Sequence, residues 1–225
     1  MSDDGRHVFA RLLRRILHVF FRLLYYEFAW TYDFVSWAVS MGQWRDWQRT
    51  ALPYLRGQVV LEVAHGPGHM LLALSRTGRR AVGLDLSPQM GRQAARRLRR
   101  HALPAQLARG SADALPFASG HFSSVLSTFP TEFVGHPAAI AEFHRVLQPG
   151  GAFVCVPAAQ ITGPAPPDRF AEWLFRVTGQ SAEDFYAPVL TRYRDAGFQV
   201  RVERVTLKRS LVTAIVAEKG GERSA

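Results

Sequence analysis

The sequence predicts an α/β fold: a mainly parallel sheet with helices on both faces, preceded by a helical extension and closed by an antiparallel hairpin. Three observations carry this. From Gln58 onward, short apolar runs alternate with segments of helical periodicity. The first of these runs leads into a glycine-rich turn, and the next two lead into acid-bearing turns. The last two runs, FQVRVERVTL and SLVTAIVAEK, alternate with period two and meet at a short basic turn.

Residues 6 to about 29 read as one long helix, with Phe9, Leu12, Leu13, Ile16, Leu17, Phe20, Phe21 and Leu24 at helical spacing. Arg11, Arg15, His18 and Arg22 form a basic stripe on the opposite face. The aromatic segment FAWTYDFVSWAV follows, then Gly42 and a third helix, QWRDWQRTALPYL. Four of the five tryptophans, Trp30, Trp37, Trp44 and Trp47, fall in this first quarter of the chain. QVVLEV is a continuous apolar strand ending in an acid, followed by AHGPGH and the helical MLLALSRTG. RAVGLDL is the second strand, and Pro88 opens a helix running to about His101, proline being suited to the first turn. PAQLAR and HFSSVLST are the third and fourth strands. A helix from about His136 to Leu147, a QPGG turn and the strand GAFVCVP follow. ITGPAPPD reads as a loop, RFAEWLFRVTG as a helix, and AEDFYAPVLTRYRDAG as a helix closed by Gly197. The tail GGERSA reads as frayed.

The 225 residues suit one generous domain with an appendage, and 48% hydrophobic against 20% charged excludes wholesale disorder. The formal charge of +10 points to an anionic partner: nucleic acid, a membrane surface or an acidic substrate. All but Lys208 and Lys219 of the 28 basic residues are arginine. The single cysteine, Cys155, excludes an internal disulfide and any Cys-rich metal site, and the apolar run AFVCV marks it as a buried small hydrophobe. No run approaches the length of a membrane-spanning helix, and arginines interrupt every apolar stretch that could serve as a signal peptide.

An open α/β sheet binds its ligand outside the carboxyl ends of its strands, so the motifs belong just after each strand. The first is Glu62-Val63-Ala64-His65-Gly66-Pro67-Gly68, whose glycines permit positive φ and close backbone approach. It fits the dinucleotide fingerprint poorly and fits an acid-x-G-x-G-x-G loop better, with Ala64 in place of the first glycine. The second strand ends in Asp85, placed to accept both hydroxyls of a ribose. The third leads to Ser111-Ala112-Asp113-Ala114, where an acid can accept from an adenine amino group. Their order on consecutive strand ends is more specific than any one of them.

VLEVAHGPG, VGLDLSPQM, ADALPF…HF and HRVLQPGG together resemble the successive motifs of class I S-adenosylmethionine-dependent methyltransferases, over about residues 25–218. YDFVSWAVSMGQWRDWQ is similar to the entry segment of quinone C-methyltransferases and bacterial phospholipid N-methyltransferases. The resemblance implies a Rossmann-like seven-stranded sheet and S-adenosylmethionine as cofactor. It implies that Glu62, Ala64, His65, Gly66 and Gly68 line the cofactor loop. Asp85 with Leu86 would take the ribose, Ala112, Asp113 and Ala114 the adenine, and Thr128 the end of the fourth strand. Tyr32 would close over the methionine moiety. The chain departs from the family at Ala64, at His65 and at Phe122-Ser123, where Asp ordinarily follows Phe. Thr128-Phe129-Pro130-Thr131-Glu132 stands in place of Asn-Pro-Pro-Tyr, which removes support for methylation of bases or amides.

Glu132 is a candidate general base or counter-charge for a cationic acceptor, and equally a carboxylate capping the next helix. Tyr32 is the second catalytic candidate; Tyr25, Tyr26 and Asp168 are unranked alternatives. Methyl transfer from a sulfonium draws much of its rate from proximity, orientation and desolvation, so no dedicated base is required. His65 and His69 are separated by Gly66-Pro67-Gly68 and do not share a helix face, so no metal site is assigned. The basic run Arg92, Arg96, Arg97, Arg99 and Arg100 reads as a solvated helix face. Residues 1–56 are read as a cap, 57–220 as the methyltransferase domain and 221–225 as a tail. The function expected is methylation of a hydrophobic or lipid-like acceptor, quinone or phospholipid in class. Arg11, Arg14, Arg15 and Arg22 would rest on an anionic membrane, with the protein cytoplasmic and peripheral on the inner face. Nucleic acid is not an expected partner. The alternatives are a soluble small-molecule methyltransferase whose first helices only cap the site, and a non-catalytic cofactor-binding protein.

Overall fold

The computed structural model of the protein describes residues 32–163 and 182–221. The expected first helix with its arginines, the ITGPAPPD loop beyond Gly163, the whole of RFAEWLFRVTG, Asp168 and the extreme tail lie outside the described residues.

Helices α1 (Tyr32–Ser40) and α2 (Trp44–Arg49) precede a short 3-10 turn, Leu52–Tyr54. Then come β1 (Val59–Val63), α3 (His69–Arg76), β2 (Arg80–Asp85), α4 (Pro88–Arg100), β3 (Gln106–Arg109) and β4 (Phe122–Thr128). A 3-10 turn, Glu132–Gly135, leads to α5 (Pro137–Val146), β5 (Leu147–Ile161), α6 (Ala182–Asp195), β6 (Phe198–Leu207) and β7 (Ser210–Lys219). The seven strands form one sheet in the order β3-β2-β1-β4-β5-β7-β6. β1 to β5 run parallel, whereas β7 is antiparallel to both β5 and β6. The fold is the Rossmann-like seven-stranded sheet with a C-terminal antiparallel hairpin that the sequence predicts.

β1 is central, and its continuous apolar run follows from burial on both faces. Val60 packs with Trp47, Met70, Leu74 and Leu126 on one side of the sheet. Leu61 and Val63 pack with Val125, Phe143, Phe153 and Tyr193 on the other. The chain winds from β1 outward to β3 and returns to β4 on the opposite side of β1. The carboxyl ends of β1 and β4 therefore flank the switch point at which such sheets bind ligands.

Two expectations are corrected. The third helix, read over residues 43–55, breaks after Arg49, because Pro53 has no N–H to give Arg49 and the chain tightens into a 3-10 turn. The QPGG turn lies inside β5 as an irregularity. Phe122 faces Leu147 while Ser124 faces Ala152, and Gly150 takes up the extra chain at φ 74°. β5 also continues past GAFVCVP to Ile161, with a second register shift around Pro157, which cannot donate to the ladder. Trp47, Ala51 and Leu55 share one core with Val60 and Val154, so residues before 57 contribute to the packing of the sheet.

Candidate functional site

The site is built on the turn after β1. Ala64 at φ 57°, Gly66 at φ 55° and Gly68 at φ 81° reverse the chain into α3. For Ala64 the left-handed conformation costs roughly 1–2 kcal/mol that glycine would avoid. Its N–H donates to Leu84 O at 2.8 Å, locking the turn to the end of β2. Gly68 is fixed by more than φ. A Cβ there would lie 2.7 Å from the Ala94 Cβ, so its role in the described structure is the close approach of α3 to α4.

Asp85 is 3% exposed and accepts from Gly66 N–H at 2.9 Å and from Ser87 N–H at 2.8 Å, one bond to each carboxylate oxygen. It ties the glycine turn to the start of α4, where Ser87 Oγ caps Met90 N–H and Pro88 takes the first helical position. Each oxygen has a second lone pair, so accepting ribose hydroxyls is compatible with this bracing. Leu86, beside it, is 54% exposed.

Glu62, at the carboxyl end of β1, is buried, and Oε2 has no hydrogen-bond partner among the described residues. Burial holds its carboxyl well above the usual carboxylate range, the charge of Asp85 adds to this, and a backbone hydrogen bond from Leu71 opposes it. His65 is also buried. Its Nδ1 lies 2.7 Å from Gly66 O, and because a carbonyl only accepts, the proton sits on Nδ1. Nε2 is then an acceptor, and it too has no partner among the described residues. Burial pushes the His65 pKa down, against the opposing pull of Asp85.

After β3, Ala112 is buried in the core and can serve a ligand only through its backbone, whereas Asp113 and Ala114 are exposed. Asp113 bonds the Ser111 hydroxyl through Oδ2 at 3.4 Å, and Oδ1 lies 3.3 Å from His136 Nδ1. The turn behind it is held by Glu142, which accepts from Leu115 N–H at 2.6 Å while paired with Arg145 at 2.7 Å. At the end of β4, Thr128 is buried and accepts from Gln48 Nε2 at 2.9 Å. Phe129 follows at φ 50°, stacked on Trp44 with ring centroids 4.1 Å apart. Glu132 is exposed at the first position of its 3-10 turn, and the N-cap of α5 is His136, with no side-chain cap bond, so Glu132 does not cap that helix. Tyr32 is the first residue of α1.

Sequence reasoning passed over Gln48 and placed Arg97 on a solvated helix face, which the structure corrects. Arg97 donates to Pro67 O and braces the glycine turn, while Arg92, Arg96, Arg99 and Arg100 form the expected solvated face. Its signal was legible: Arg97 sits three residues past Ala94, which packs on Gly68. Among the described residues no group of three or more His, Cys, Asp or Glu side chains is placed to hold a metal ion.

A methyltransferase-domain family model matches residues 60–151. The demethylmenaquinone methyltransferase of Symbiobacterium thermophilum is 31% identical over 203 residues, covering 84% of this chain and 76% of that protein. This chain belongs to the class I S-adenosylmethionine-dependent methyltransferases. The demethylmenaquinone methyltransferase of Thermus thermophilus is 29% identical over 174 residues, covering 75% of this chain and 77% of the relative. A geranyl diphosphate methyltransferase solved with S-adenosylmethionine superposes with a TM-score of 0.58 at 16% identity, covering 78% of this chain and 85% of that one, a likeness of fold.

The acceptor-rich turn suits the methyltransferase cofactor. S-adenosylmethionine carries an ammonium, a sulfonium and two ribose hydroxyls, and the buried Glu62 Oε2, His65 Nε2 and the Asp85 carboxylate have the acceptor chemistry that would hold such groups. When bound, the cofactor supplies an electrophilic methyl group on sulfur. The chain's part is to hold the turn rigid through Asp85, Ala64 and Arg97.

Proposed function

We propose that this methyltransferase transfers the methyl group to a hydrophobic acceptor of the quinone class, working at an anionic membrane surface. The observation that carries the reading is the 31% identity with a demethylmenaquinone methyltransferase over 84% of the chain. The half-buried rings of Trp44 and Phe129, stacked beside the end of β4 and backed by the buried Trp47, support it, because a flat apolar ring packs well on such rings. Glu62, Ala64, His65, Gly66, Gly68, Asp85, Leu86, Ala112, Asp113, Ala114 and Thr128 are the residues assigned to the cofactor. Glu132 is assigned to the acceptor side as a candidate base, and Tyr32 is the second catalytic candidate, closing over the methionine moiety. No described helix is long and apolar enough to cross a membrane, and membrane contact is assigned to the arginines Arg11, Arg14, Arg15 and Arg22.

The test combines the protein, S-adenosylmethionine and reduced demethylmenaquinone in anionic vesicles. The expected product is heavier by one methyl group replacing hydrogen on the ring; its absence refutes the acceptor class. Vesicle sedimentation of the parent and of a variant with those four arginines replaced by glutamate tests the membrane half, and equal pelleting of the two refutes it.

A further inference from the structure

Trp44, Trp47 and Gln48 are spaced i, i+3, i+4 on α2 and so share one helix face. Trp47 and Gln48 are both turned into the protein, 2% and 8% exposed. Indole Nε1 of Trp47 donates to Ser210 Oγ at 2.7 Å, anchoring α2 to the start of β7. The Gln48 amide is pinned from one side only. Nε2 donates to Thr128 Oγ1 at 2.9 Å, and Oε1 is buried with no partner among the described residues. A buried acceptor left unsatisfied costs about 1–3 kcal/mol, and folded proteins tolerate few of them. Its neighbour along β4 also carries strain. Phe129 holds a left-handed φ of 50°, rare for a bulky residue, fixed by its N–H on Val156 O at 2.7 Å and by the stack on Trp44.

These features lie at the end of β4, across β1 from β2 and β3, whose ends carry the ribose and adenine candidates Asp85 and Asp113. Thr128 closes β4 on the cofactor side, and the face beyond it, with Phe129, Trp44 and Gln48, is left for the second substrate. The half-buried rings of Trp44 and Phe129, with a buried unpaired acceptor on the same face of α2, match a flat ring bearing a hydroxyl. We infer that Gln48 is a specificity residue for the methyl acceptor, its Oε1 accepting a hydrogen bond from a ring hydroxyl of a hydroquinone. The inference rests on the quinone-class reading above. An amide is too weak a base to remove the proton, so its part is to recognise the hydroxyl and fix the ring.

The test uses the full chain, reducing conditions, and two probes: naphthohydroquinone and its dimethyl ether, which keeps the ring and lacks the O–H donors. Binding is read by calorimetry with S-adenosylhomocysteine present. The parent should prefer the hydroquinone about tenfold, the worth of one neutral hydrogen bond. Gln48→Met, close in volume, should bind both probes equally while its affinity for S-adenosylmethionine stays unchanged. Thr128→Val, which unpins the amide, should lower the preference and serves if the first variant fails to fold. A parent without preference, a Gln48→Met or Thr128→Val protein that keeps it, or a Gln48→Met loss confined to S-adenosylmethionine affinity overturns the assignment. Failure to methylate reduced demethylmenaquinone would instead refute the proposed acceptor, because probe preference is read without turnover.

Discussion

Replacing Glu62 by glutamine should move stability and cofactor affinity in opposite directions. In the protein without cofactor, Glu62 is 1% exposed, faces the charge of Asp85 and leaves Oε2 unpaired. Its folded-state pKa lies above the ordinary 4.5, so the folded state binds the proton more tightly than the unfolded state. The stability this contributes is fully present below the unfolded value and is lost as pH rises through the folded one. The loss is at most about 1.4 kcal/mol per pH unit within that window. For a chain of this size each kcal/mol is about 2–4 °C in melting temperature. Glutamine does not titrate, so the variant should match the parent near pH 4.5 and become progressively more stable as pH rises. Its affinity for S-adenosylmethionine should fall about tenfold to a hundredfold, the worth of a hydrogen bond to a charged group. The assay is a pair of thermal melts from pH 4.5 to 8 without cofactor, followed by calorimetric titration at pH 7.5. A variant equal to or less stable than the parent throughout would show that Glu62 is not a strained buried acid. Unchanged affinity would remove it from the cofactor site.

Three further outcomes are expected. Gly68→Ala should destabilise by about 2–5 kcal/mol, from the left-handed backbone and the clash with Ala94, and adding Ala94→Gly should recover only the packing part in denaturant titrations. Glu142→Gln should cost about 1 kcal/mol at neutral pH by weakening the clamp on Leu115. Arg145 holds the Glu142 carboxyl below its usual range, so the deficit should fade as pH falls through that depressed value in melts compared between pH 7 and pH 3. Trp47→Phe should cost about 1–3 kcal/mol by leaving Ser210 Oγ buried and unpaired, and Ser210→Ala in the same background should restore part of it, measured by urea unfolding.

The strands and the order of their loops were legible because continuous apolar runs such as VVLEV and FVCV suit central strands buried on both faces of a sheet. The acids at 62, 85 and 113 stand out because the turn chemistry beside each is unambiguous. Less was legible where one residue serves two partners. Asp85 reads as a ligand for ribose, yet both oxygens also brace backbone amides, a contact across 19 positions that no local pattern reveals. Gln48 looks like an ordinary polar helix residue, and only its packing against β4 turns it into a buried amide with one open atom. The break in the third helix was written in Pro53, and the QPGG irregularity needed the register between β4 and β5 to be seen.

The central claim is that the turn after β1, braced by Asp85, holds S-adenosylmethionine. Calorimetric titration of S-adenosylmethionine into the full-length parent and into Asp85→Asn tests it directly. The parent should bind one cofactor per chain, and Asp85→Asn should bind at least about tenfold more weakly, because a charged acceptor is lost both to the ribose and to Gly66 N–H. A parent that shows no saturable binding, or an Asp85→Asn protein that binds as tightly as the parent, would contradict it.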